Sequence, residues 1–227
     1  MSIGSERHPV AGARDAETIL AEARKALWVM VGFLVVIWTV QIVNWASDYD
    51  LSLDYGIRPR DVGSLPEIFS APFLHFSWGH IEGNSGPLFI FGFLAAYRGV
   101  RKFLMLTALI VVGSGIGAWF TQAPNSVGAG ASGVVFGYFG YIIVRGVFDR
   151  HRIDIVIGLV MALCFAYQFS VLIPAEEGIG WQSHLFGFIA GVLGGWIFRD
   201  RRPKKVDAAE DAPPGPTTPL IPKDLGL

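Results

Sequence analysis

The sequence predicts an all-α, polytopic membrane protein with six transmembrane helices. Hydrophobic residues make up 52% of the 227 positions and charged residues only 16%, so a surface in water would be short of charge; ordinary soluble domains carry about 25%. The apolar residues fall in long blocks rather than alternating, and about 18 consecutive apolar residues suffice to span a bilayer. Basic residues gather in every second connection between the blocks. The same composition excludes other classes. A net charge of −1 leaves no basic surface for nucleic acid. Cys164 is the only cysteine, which excludes an internal disulfide and a cysteine-rich metal site. It is expected mid-span in a packing role, because a thiolate there is costly.

Residues 1–25 form a polar cytoplasmic segment without a cleavable signal pattern, and Asp15 to Lys25 suit a short interfacial helix. Residues 26–200 form the six-span domain. Span one runs from about Ala26 to Trp45, span two from Trp78 to Tyr97 and span three from Phe103 to Phe120. Span four covers Val127 to Val144, span five Ile155 to Pro174, and span six Trp181 to Phe198. Residues 201–227 hold Pro213, Pro214, Pro216, Pro219 and Pro222, and read as a disordered cytoplasmic tail.

Orientation follows from the rule that Lys and Arg near span ends favour the cytoplasm. Arg24 and Lys25 precede span one, and Arg98, Arg101 and Lys102 join spans two and three. Arg145, Arg150 and Arg152 join spans four and five, and Arg199, Arg201, Arg202, Lys204 and Lys205 follow span six. The remaining connections hold only Arg58 and Arg60 against seven acidic residues, among them Asp48, Glu67 and Glu176. Both termini are therefore expected inside, with a bacterial cell membrane as the simplest location.

Polar side chains in hydrocarbon are expensive and ask for a reason. His75, His80 and Asn84 stand at the start of span two, Ser132 early in span four and His184 early in span six. These three spans run from outside to inside. Helical rise puts Ser132 roughly 9 Å below Ser126, Asn84 at a similar depth and His184 roughly 5 Å below Trp181. His80 and Asn84 are four apart, hence on one helical face. Gly133, Gly137 and Gly140 on span four, and Gly187, Gly191, Gly194 and Gly195 on span six, are stripes of the kind that let helices approach closely in lipid. If the stripes face each other, the hydroxyl and imidazole come within hydrogen-bond reach. Taken singly, such a serine is usually a packing residue and a span histidine a satisfied interior group. Their conjunction on alternating spans carries the argument.

These residues resemble the rhomboid family of intramembrane serine proteases. The matching pieces are Pro72-Phe73-Leu74-His75 with His80 and Asn84, then Gly130-Ala131-Ser132-Gly133, then His184-Leu185-Phe186-Gly187 followed by Gly191. Their order and span positions match over about residues 26–200, and the loop containing Gly56-Ile57-Arg58-Pro59-Arg60 looks like the family's membrane-associated first loop. The resemblance implies a rhomboid-like bundle in which Ser132 is the nucleophile and His184 the base, a dyad without a carboxylate. His80, Asn84 and the Ser132 amide would form the oxyanion hole. His75, Phe136, Gly130, Gly133 and Gly187 would support the pocket. No cofactor or metal is implied, and the expected partners are membrane-protein substrates and the lipid bilayer. Two departures stand out. Phe136 occupies a position where the best-known members often carry Tyr, and no Trp-Arg pair is present in the first outer loop, where Arg58 and Arg60 are the nearest basic residues.

The chemistry is self-consistent. A serine hydroxyl is weak until a base takes its proton, a neutral imidazole can do so and then protonate the leaving amine, and preorganised donors stabilise the oxyanion. Cleavage is expected near the outer face, with span five and the connection Ala175–Gly180 as gate elements. Glu82 lies about 200° round the helix from His80 and is expected to hydrogen-bond the first loop. His8 and His151 lie outside the spans and are expected to be solvated. No HExxH, paired span aspartates or phosphate loop is present. The alternatives are a non-catalytic rhomboid-like protein that binds transmembrane segments, or a transporter, which the lack of mid-span acids and repeat pairs argues against.

Overall fold

The computed structural model describes residues 11–172 and 180–200, with side chains from 16 onward except at 171. It contains seven α-helices and four 3-10 segments among these residues, and no strand beyond one isolated bridge. The helices are α1 (Ala11–Ala46), α2 (Asp50–Asp54), α3 (Trp78–Ala96), α4 (Val100–Thr121), α5 (Ser132–Asp149), α6 (Arg152–Cys164) and α7 (Trp181–Ile197). By length and composition, α1 from Ala16 and α4 are apolar enough to cross a membrane.

Helix α5 is the centre of the bundle, packing against α3, α4, α6 and α7. Every residue from Gly133 to Ile142 is buried. Its glycines let the neighbouring helices close in on it from several sides. A Cβ on Gly187 would stand 2.1 Å from the carbonyl oxygen of Gly133, and one on Gly191 1.8 Å from that of Gly137. The two stripes do not simply face each other. The α7 glycines sit on the α5 main chain, whereas Gly133 and Gly137 open toward Ser114 and Ile110 of α4, and Gly140 faces Phe188 of α7.

Several expectations need correction. No separate interfacial helix covers Asp15 to Lys25, because α1 runs unbroken from Ala11. Span four does not begin as a helix at Val127. Residues 127–130 are not helical, Gly128 exchanges two 2.8 Å main-chain hydrogen bonds with Ile57, and α5 starts at Ser132 after a turn at Ala131. Span five is not one helix either. Helix α6 ends at Cys164 and a 3-10 segment, Ala166–Leu172, follows. Cys164 is exposed at that end rather than packed. Glu82 is exposed and makes no hydrogen bond among the described residues, so it does not tie α3 to the first loop. His8, the tail 201–227 and all but Gly180 of the connection Ala175–Gly180 lie outside the described residues.

The first loop is held by the protein itself. Arg58 donates to the carbonyls of Leu53 and Asp54 at the end of α2, and Arg60 donates to those of Phe120 and Gln122 at the end of α4. Cations suit helix C-termini because the last carbonyls lack intrahelical partners. At the opposite end of the bundle, Asp154 is buried and accepts from Arg145 at 2.7 Å and from Arg98. His151 also reaches Asp154, at 3.0 Å, so it is paired rather than merely solvated. This cluster ties α6 to α5 and to the connection between α3 and α4.

Candidate active site

Ser132 is the first residue of α5 and His184 the fourth of α7. Gly187, one turn below His184, rests on the carbonyl of Gly133, beside Ser132. That contact sets the spacing of the two helices at the level of the polar pair. The Oγ of Ser132 and Nε2 of His184 are 2.9 Å apart, a hydrogen bond. The ring of Phe136, one turn into α5, stacks on His184 with centroids 4.5 Å apart and planes 21° from parallel. A phenyl ring restricts the imidazole without offering it a hydroxyl.

Gly130 carries φ +134° and would bring a Cβ within 2.8 Å of the His80 ring, so this turn admits only glycine. Its amide donates to the carbonyl of Ala71 at 2.9 Å. The turn ends at Ser132, whose amide belongs to the first turn of α5, where main-chain N–H groups have no intrahelical acceptor.

Helix α3 brings the remaining polar groups. Ser77 caps it, its hydroxyl accepting from the His80 amide at 3.1 Å. His80 and Asn84, one turn apart, line the same cavity of about 1250 Å3 as Ser132 and His184. The Asn84 side-chain nitrogen is buried and has no acceptor among the described residues. His75 is fully buried, edge-on to His80 with ring centroids 4.9 Å apart, and its Nε2 accepts from the Ala131 amide at 3.3 Å. Burial first and then the neighbouring His80 push its pKa down to about 3, against an opposing contribution from the Phe73 main chain. The ring is neutral at any ordinary pH, as an acceptor at Nε2 must be.

Ser132, His184, His80, Asn84, Phe136, Gly130 and Gly133 therefore line one cavity, while His75 and Gly187 do not line it and pack against residues that do. Others line it that the sequence reading passed over. Gln122 follows α4 and Gln168 lies on the 3-10 segment after α6; both are buried and both line the cavity. Each interrupts or ends an apolar block, the same signal that marked Ser132.

A family model described as the Rhomboid domain matches residues 62–201. The chain is 33% identical over 187 residues to an uncharacterized protein of Mycobacterium tuberculosis, covering 77% of this chain and 78% of that one. It is 25% identical over 183 residues to rhomboid protease GlpG of Haemophilus influenzae, covering 80% and 94%. It is also 28% identical over 144 residues to the chloroplastic rhomboid-like protein 11 of Arabidopsis thaliana, covering 58% and 51%. With the family domain matched across both Ser132 and His184, and a helical bundle that brings them into one cavity, the chain belongs to the rhomboid family of intramembrane serine proteases.

Proposed function

We propose that this chain hydrolyses peptide bonds of membrane-anchored substrates near the outer membrane face, with Ser132 as nucleophile and His184 as base. The observation that carries the reading is the 2.9 Å contact between the Ser132 hydroxyl and the His184 ring, inside a cavity lined by polar donors. In the first step Oγ attacks the substrate carbonyl carbon and its proton passes to Nε2 of His184. The negative charge on the former carbonyl oxygen is met by the Ser132 amide, His80 and Asn84. Each preorganised donor of this kind is worth about 3–4 kcal/mol, and the Asn84 nitrogen, with no acceptor among the described residues, suits the purpose. The intermediate collapses, the peptide C–N bond breaks, and His184 returns the proton to the leaving amine. Water then gives its proton to His184 and attacks the acyl ester, restoring Ser132 and releasing the new carboxyl end.

The same reading has six spans with both termini in the cytoplasm of a bacterial cell. Helix α6 has 13 residues and spans about 20 Å alone. The following seven 3-10 residues add about 14 Å and bring the segment to bilayer thickness. A substrate helix satisfies its backbone hydrogen bonds internally in lipid, so it must unwind locally before attack. Substrates with helix-weakening residues at the cut are therefore expected.

The test is cleavage of a transmembrane peptide library by purified protein, with products read by mass. Wild type is expected to cut, and to be labelled by a fluorophosphonate probe. Ser132→Ala and His184→Ala are expected to fold and do neither. Cleavage persisting in either variant removes the dyad.

A further inference from the structure

We propose that Asn44, at the end of α1, is a positioning residue for the nucleophile and acts through Ser52 and His75. The inference rests on the protease reading above and adds to it a control element from outside the family match, which begins at residue 62.

Asn44, Ser52 and His75 are all fully buried, and they are linked by hydrogen bonds that leave little freedom. The Asn44 side-chain amide donates to the Ser52 hydroxyl at 2.8 Å and to the His75 carbonyl at 2.9 Å. Its oxygen accepts from the Ser52 amide at 3.1 Å. The Ser52 hydroxyl donates to the same His75 carbonyl at 3.3 Å. Both amide hydrogens and the oxygen of Asn44 are thus engaged, and two donors converge on one carbonyl. A buried polar residue is costly unless satisfied, and here the satisfied groups all serve to fix His75.

His75 in turn fixes the peptide that precedes Ser132. Its Nε2 accepts from the Ala131 amide at 3.3 Å, and the Ala131 carbonyl accepts from Val134 and Val135 in the first turn of α5. The Ala131 residue is held at both its N–H and its C=O. Among the described residues His75 is the only side chain that hydrogen-bonds the main chain of 128–133. A ring free to tilt would release the Ala131 amide and let the Ser132 amide and hydroxyl swing together. Displacements of about 1 Å at a reacting group can cost about 100-fold in rate. Asn44, on a helix that contributes no residue to the dyad, holds the His75 main chain from which this ring extends, and so sets where the ring stands.

The experiment uses the full chain in detergent and a transmembrane peptide that wild type cleaves. Asn44→Ala is expected to lower kcat about tenfold and change KM by less than about twofold, the pattern of an interaction that matters in the transition state. In a His75→Ala background, Asn44→Ala is expected to cost nothing further, because the path runs through that ring. Trp38→Phe is the comparison on the same helix. It removes the 3.1 Å bond from Trp38 to Ser85 and is expected to lower thermal stability while leaving kcat of the folded fraction unchanged. If Asn44→Ala does not fold, Ser52→Ala replaces it, with a smaller loss of kcat and the same non-additivity with His75→Ala. Wild-type kcat in both Asn44→Ala and Ser52→Ala, or losses that multiply with that of His75→Ala, would overturn the inference alone. Cleavage by Ser132→Ala, or none by wild type, would overturn the protease reading and this inference with it.

Discussion

Gly187→Ala places a methyl group at the contact that sets the distance between α5 and α7. The new Cβ would stand 2.1 Å from the Gly133 carbonyl oxygen, about 1.3 Å short of the 3.4 Å at which ordinary contact begins. The obstacle is main chain, not the end of a flexible side chain, so the helices must part. His184 is one turn away on α7 and Ser132 is the neighbour of Gly133, so a separation of about 1 Å carries the 2.9 Å hydrogen bond beyond reach. Overpacking of this sort costs about 1–3 kcal/mol of stability, which leaves a folded fraction to assay. A misplacement of about 1 Å costs about 100-fold in rate. The assay is kcat on a transmembrane peptide, corrected for folded protein by thermal unfolding in detergent. Gly86→Ala on α3 is the control, since among the described residues no atom outside its own helix lies within 4 Å of the added methyl, and it should behave as wild type. Wild-type kcat in Gly187→Ala would refute the reasoning, because it would mean that the pair is not held together by this contact.

Three further outcomes are expected. Phe136→Leu keeps an apolar side chain but removes the ring that stacks on His184 at 4.5 Å; a stacking contribution of about 0.5–1.5 kcal/mol predicts a two- to tenfold fall in kcat, read by steady-state kinetics. Asp154→Asn leaves the buried Arg145 facing a neutral partner and is expected to cost about 3–5 kcal/mol, whereas His151→Gln, at a half-exposed position, costs under about 1 kcal/mol; equal thermal midpoints for the two would contradict the assignment. His75 stays neutral in the fold down to about pH 3, while the unfolded chain takes up a proton near its ordinary value of 6.5. Its contribution to stability is therefore fully present above pH 6.5 and is lost as pH falls toward 3; His75→Gln should flatten the fall in thermal midpoint over that window, and an unchanged slope would count against it.

The polar groups of the cavity were legible because few residues of their kind interrupt the apolar blocks, and three of the interrupting motifs recur at similar positions on alternate blocks. Ser132 and His184 are chemically conspicuous against Val, Phe and Gly. Asn44 was not, since it stands at the margin of a block where a polar residue excites no notice. Asp154 was not, since an acid beside a basic connection looks solvated until the bundle closes Arg98 and Arg145 over it. The start of α5 was misjudged for a related reason. Val127 to Ala131 are apolar and small, as a span would be, but their backbone pairs with Ile57 far upstream, and no local signal announces that pairing.

The sequence by itself determined that the chain is all-helical, that its composition suits lipid, and that its motifs are those of the rhomboid family. These follow from composition and short-range order, which each segment carries independently. Only the tertiary structure decided where α5 begins, that α6 gives way to a 3-10 segment, and that 2.9 Å separates Ser132 from His184. Such quantities depend on how closely backbones approach, and that is set jointly by glycines on α7, carbonyls on α5 and the loop bonded to Ala71 and His75.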